Sequence, residues 1–175
     1  MGRPGLKVLY ISRGFTTHDR RFLASFVGAG WSPVHLPIIP ERLDHRDYPE
    51  GVSTAAWSRT QWPSSKADWR RRIAELSEII DAVDPAVVLA GPVQSGALMA
   101  ALAGASPLVS VSWGSDVLVD ADADSLCRHA TSRALDASVL AFGDCRAVRE
   151  AVKRHSALDD SDIVTFPWGI DLGRF

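Results

Sequence analysis

Lysine is almost missing from this chain. Only Lys7, Lys66 and Lys153 occur, and arginine supplies the rest of the 19 basic residues. We read that bias as coding preference, not phosphate chemistry. Against 21 acidic residues the formal net charge is -2, so no basic field is present to draw in nucleic acid or anionic lipid. Cysteine occurs twice, at Cys127 and Cys145, without CxxC spacing or a histidine cluster nearby. That argues against a zinc site and for free thiols in a reducing, cytoplasmic compartment. His35, His45, His129 and His155 show no metal spacing either, and the sequence calls for no metal and no cofactor. A GxxxxGK[ST] loop is absent, as is GxGxxG, and no acidic residue closes the second apolar run. The P-loop and classical dinucleotide readings fall with them. Repeats and low-complexity segments are missing, and MGRPGLKVLYIS is too short in its apolar run for a signal peptide.

Charge is missing from one long stretch, residues 85–115. A spanning helix needs roughly 20 consecutive apolar residues. Here Pro92, Gln94, Ser95 and Pro107 cut the run into strand-like AVVLAG, a small-residue helix SGALMAALAG and strand-like PLVSVSW. A strand–helix–strand unit buried in a sheet explains the missing charge without a membrane.

What is present keeps the same rhythm. LKVLYIS reads as a first strand, and DRRFLASFVGAG as a helix with Asp19 at its N-cap and Gly28 and Gly30 at its end. SPVHLPI reads as a second strand, and residues 39–64 as a surface excursion with one edge strand. In KADWRRRIAELSEIIDAVDP, residues Trp69, Ile73, Leu76, Ile80 and Val83 form one apolar stripe. A helix over 122–135, strand ASVLAF, helix GDCRAVREAVKRHSAL and strand DIVTFP follow. The expected fold is α/β: a Rossmann-like, doubly wound parallel sheet with helices on both faces.

Such sheets bind ligands at the carboxyl ends of their strands. Three loops leave those ends: SRGFTTHD, AGPVQSG and SWGSDV. In the first, Arg13 can pair with a phosphate or acidic group, while Gly14 permits close backbone approach; a solvated arginine and a turn glycine read equally well. Phe15 belongs to the same candidate binding loop. Arg20 and Arg21 lie within the helix, at least one of them solvated or structural. Gln94 and Ser95 either line the cleft or, for Ser95, cap the small-residue helix. Trp113, Gly114, Ser115 and Asp116 form the sharpest group: an aromatic face for a sugar, beside a carboxylate able to take two hydroxyls. The alternative is a core tryptophan and a turn-capping aspartate. Trp57 and Trp62 offer an aromatic surface, or pack their own loop down.

Several of these pieces in order resemble the amino-terminal domain of GT-B glycosyltransferases of family 4. KVLYIS...THDRRFLASFVGAGWSPVHL is similar to that family's first strand, acceptor-side loop and first helix, and VSWGSDV to its HGSD element. ASVLAFGDCRAVREAV...DIVTFPWGIDLGRF is similar to its last strands followed by the interdomain PNGVD...F element. Trp113 stands where many relatives carry histidine, so no role of that histidine transfers.

The resemblance implies one half of a two-domain enzyme: residues 1–166 as the acceptor-side domain, 167–175 as the start of a linker, and a donor-binding half beyond. The family's two glutamates, separated by seven intervening residues, have no counterpart among Glu41, Glu50, Glu75, Glu78 and Glu150. It further implies transfer from a nucleotide-sugar donor to a small-molecule, lipid or glycan acceptor, with retention and without an obligate metal. This half alone is then expected to be inactive. Peripheral membrane contact stays open; nucleic acid and a membrane span are not expected. His18 and Asp116 are the candidate catalytic residues, with Arg13, Gly14, Phe15, Gln94, Ser95, Trp113, Gly114 and Ser115 binding substrate. For His18 the alternative is a surface histidine completing a loop hydrogen bond. A non-catalytic partner subunit and half of a nucleotide-sugar epimerase are the rival readings.

Overall fold

The computed structural model describes residues 5–39, 44, 46–58 and 62–168. β1 (Lys7–Ser12) shows the alternation that a strand's period of two requires. Leu9 and Ile11 join one hydrophobic core, Val8 and Tyr10 another on the opposite face. α1 (Thr17–Gly28) leads to β2 (Ser32–Pro37), and the two-residue β3 (Ser53–Thr54) pairs beside it. α2 (Lys66–Val83) then crosses back to β4 (Val87–Ala90), which pairs with β1.

The charge-free stretch is β4, a single π-helical turn (Val93–Ala97), α3 (Leu98–Leu102) and β5 (Leu108–Val111). No helix among the described residues is long and apolar enough to cross a membrane. The short α4 (Ser115–Leu118), α5 (Ser125–Asp136), β6 (Leu140–Gly143), α6 (Arg146–His155) and β7 (Ile163–Thr165) complete the fold. The seven strands are all parallel, in the order β3-β2-β1-β4-β5-β6-β7. The expected α/β doubly wound sheet is therefore what forms, and strand order reverses between β1 and β4.

Its two faces are covered unequally. Leu76 of α2, Met99 of α3, Leu135 of α5 and Val152 of α6 share one core with Leu9, Leu36, Leu108 and Ile163. Full burial of each such side chain contributes roughly 2 kcal/mol. On the other face the core draws on α1 alone among these helices, through Leu23, Phe22 and Phe26. Beside α1 an apolar trough of about 500 Å³ remains, floored by Val87, Leu89, Val109 and Phe142.

Local chemistry differs from the sequence reading at the cap of α1 and on the buried face of α2, and at Trp57 it takes the packed-loop alternative. The cap of α1 is Thr16, not Asp19: Asp19 takes the third helical position, and the two form a reciprocal capping box. Trp57 is buried; its indole N–H donates to Pro37 O at 2.8 Å, and the Arg72 guanidinium lies 4.2 Å from its ring centre. Arg72 and Leu76 are thus the fully buried residues of α2, while Trp69 is only half-buried. Gly96 is dictated by close approach, since a Cβ there would sit 2.5 Å from Gly91 O. Beyond β7, Phe166 and Trp168 line the trough; the expected linker continues into 169–175, outside the described residues.

Candidate functional site

The loop after β1 is held from below. Ile38 and Ile39 amides donate to Ser12 O and Arg13 O, both at 2.8 Å, and Asp44 N donates to Phe15 O at 3.0 Å. Ser12 Oγ donates its one hydrogen to Gly14 O at 2.8 Å. It must then accept at its 2.9 Å contact with His35, so His35 Nε2 carries the proton. Neutral His35 accepts at Nδ1 from the Tyr48 hydroxyl, 2.8 Å away. Burial pushes the His35 pKa down to about 4, against the opposing pull of Asp19. Tyr10 stacks on His35 and donates to Asp19 Oδ1 at 2.8 Å; burial first, and the carboxylate second, push its phenol well above the usual range.

This arrangement corrects one expected ligand contact. Phe15 is fully buried, its ring 4.0 Å from that of Tyr48, so its side chain is core. Arg13 instead projects outward, exposed, with no side-chain partner among the described residues.

The loop after β5 turns at Gly114, whose φ of +96° is strained for any side chain. That turn drops Asp116 into the protein. Its Oδ1 accepts from Ser112 Oγ at 2.7 Å and Val117 N at 3.0 Å; its Oδ2 accepts from Val93 N at 3.0 Å and Trp113 N at 3.3 Å. Only 3% exposed and fully subscribed, this carboxylate has no capacity left for two sugar hydroxyls. It ties the β4 and β5 loops together. Gln94 works alongside it, donating to Asp116 O and, at 2.8 Å, to Thr131 Oγ1. Ser95 is not the expected cap, because neither the π-turn nor α3 has a side-chain cap.

Arg13, Pro92, Gln94, Ser95, Trp113 and Ser115 are brought together around a cavity of about 570 Å³, with Asp116 in its wall and Asp120 at its rim. It opens at the carboxyl ends of β1, β4 and β5, where strand order reverses. His18 is not among its lining residues. Exposed on the first turn of α1, it borders the apolar trough, its ring centre 6.0 Å from that of Trp113. The two candidate catalytic residues therefore do not converge on one cavity. Trp62 reaches the cavity, but the buried Trp57 does not, so they form no joint surface. No group of three His, Cys, Asp or Glu among the described residues could hold a metal ion.

Sequence reasoning missed Ser12, His35, Tyr48, Ser112 and Thr131. The available signals were a serine closing each of two apolar strands and a lone histidine inside an apolar run. It also left open where Trp168 goes. The indole of Trp168 stacks on Trp113, with centroids 5.4 Å apart and planes inclined by 26°.

Solved structures sharing this fold include Anabaena HepE in complex with UDP and glucose, matched over 96% of this chain and 46% of that one, at 12% identity and TM-score 0.65. A glycosyltransferase from Rickettsia africae matches over 97% and 44%, at 10% identity and TM-score 0.61. The UDP-GlcNAc 2-epimerase from Methanocaldococcus jannaschii matches over 91% and 45%, at 12% identity and TM-score 0.58. The chain thus spans less than half the length of these proteins. At such identities the likeness is one of fold: a Rossmann-like unit that matches one half of each of these GT-B proteins. A glycosyl transferase 4-like family model matches residues 7–141, and the chain belongs to that family. No curated protein sequence matches it significantly.

Proposed function

We infer that the chain is the acceptor-side half of a glycosyltransferase that moves a sugar from a nucleotide-sugar donor to an acceptor. The observation that carries this reading is the cavity at the strand-order reversal, which brings Gln94, Ser95, Ser115 and the exposed Arg13, without a side-chain partner among the described residues, to one place. In this reading residues 1–166 bind acceptor and 167–175 begin the path to a donor-binding half. Arg13 meets an anionic group of the acceptor, Ser95 and Ser115 offer hydroxyls, and His18 lies beside Trp113. Retention and independence of metal follow from the family resemblance. They require leaving-group charge to be stabilised in the other half. Asp116 acts by holding the loops, not by touching sugar.

In the polypeptide that carries both halves, Arg13→Ala is expected to raise the acceptor KM by about tenfold, the worth of one charge-assisted contact. The unfolding midpoint should stay put. An unchanged KM places the acceptor elsewhere. The 175-residue chain by itself is expected to show neither transfer nor UDP-glucose hydrolysis, and turnover by it would overthrow the half-enzyme reading. Similarity of fold to the archaeal 2-epimerase supports a second reading, epimerisation of a nucleotide sugar without an acceptor. NMR of UDP-GlcNAc incubated with the two-half polypeptide separates them, since only epimerisation inverts the sugar carbon that bears the acetamido group, whereas transfer to water leaves it unchanged.

A further inference from the structure

We propose that Trp168 is a positioning residue for the candidate site, acting through Trp113. This rests on reading the cavity as the acceptor site, and adds that its wall is set by the chain leaving β7.

Trp113 lines the cavity, and one face of its ring is already taken. The Trp168 indole lies against it at 5.4 Å, nearly parallel. Trp168 is itself fixed from α1. Its carbonyl accepts from Arg21 Nη2 at 2.7 Å, and its ring meets Phe22 edge-on at 4.9 Å. Phe142 of β6 and Phe166 complete the seat, at 6.1 and 5.6 Å. Trp113 N in turn donates to the Asp116 carboxylate, which also accepts from Val93 N of the β4 loop and from Ser112 Oγ, itself the acceptor of Gly114 N at 3.1 Å. A continuous set of contacts therefore runs from the exit of β7 to the wall of the cavity. A face used for stacking on indole cannot also serve as a platform for sugar. Trp113 thus transmits the position of Trp168 to the site, and by reciprocity a ligand pressing on Trp113 biases the position of Trp168.

The test uses the 175-residue chain without any sugar, so it does not depend on the ligand assignment. If the Arg13 experiment fails and this one succeeds, the coupling stands and only the acceptor reading is lost. Backbone amide NMR is recorded for Trp168→Ala, Trp113→Phe and the double variant. Trp168→Ala is expected to shift the Gly114, Ser115 and Asp116 amides. Trp168→Tyr, which restores a ring, should return most of that shift. In the double variant the shifts should be non-additive, because either change breaks the same stack. Phe26→Leu alters the same trough away from the stack and should leave those three amides in place. Unmoved amides, or additive shifts, overturn the proposal. Should Trp168→Ala fail to fold, Trp168→Phe and Arg21→Met carry the test, and the same two results overturn it.

Discussion

Asp116→Ala is expected to cost the chain about 3 kcal/mol of stability, because four donors lose a buried acceptor at once. Val93 N, Ser112 Oγ, Trp113 N and Val117 N all converge on this one side chain. A methyl group satisfies none of them, and water has little access to a position 3% exposed. Asp116→Asn should cost roughly half as much, since the amide keeps one acceptor oxygen and the Ser112 hydroxyl can rotate to accept from the new NH2. Asp120→Ala, at the exposed rim of the cavity, should stay within about 0.5 kcal/mol of the parent. Urea denaturation midpoints measure all three. A loss below about 1 kcal/mol for Asp116→Ala would mean that the carboxylate does not hold the loops. Lost activity in such a variant must therefore be read together with its stability, since a catalytic role and a collapsed loop look alike in an assay.

The second large effect is a dependence on pH centred on His35. Its folded pKa lies at about 4 and its ordinary value is 6.5, with burial as the main cause. Between those values the unfolded chain binds a proton that the folded chain does not, so stability rises with pH. The contribution is complete above about pH 6.5 and is lost as pH falls toward 4. The full interval amounts to about 3 kcal/mol as an upper bound. The carboxylates of Asp44, hydrogen-bonded by Arg46, and Asp68, hydrogen-bonded by Ser65 and Arg71, are held below the usual range. Their losses begin only as pH drops through ordinary carboxylate values, beneath this window. Urea midpoints at pH 7.5 and 4.5 should thus separate strongly in the parent. They should draw together in His35→Gln, which keeps a donor toward Ser12 and cannot be protonated. An equal separation in the variant would assign the pH dependence to other groups.

The sheet was legible because its strands are continuous apolar runs: KVLYIS, VVLA and LVSV state their burial on both faces. α2 was legible from its stripe, although the buried Arg72 shows that a guanidinium laid on Trp57 can take an apolar place. The start of α1 was misplaced because Thr16 and Asp19 are both capping types, and sequence does not say which one accepts from the other's backbone. The cavity wall was legible in part. Arg13, Ser95, Trp113 and Ser115 follow strand ends, and position alone brings them together. Phe15 was misread because its partners Tyr48 and His35 lie in other elements. The same holds for Gln94 with Thr131, 37 residues apart, which no local pattern announces. Asp116 takes the turn-capping alternative, because its four acceptor slots are filled by partners whose orientation only the fold sets.

The trough beside α1 has a thermodynamic consequence. Solvent that enters it meets mainly apolar walls, Phe22, Phe26, Leu89, Val109 and Phe142, with His18, Arg21 and Ser25 as the polar exceptions. Its release by any apolar occupant exchanges confined solvent for bulk solvent. Such an event carries a negative heat-capacity change, and its enthalpy therefore becomes more favourable on warming. The uneven sharing of helices between the two faces of one sheet is thereby written into the calorimetry of the protein.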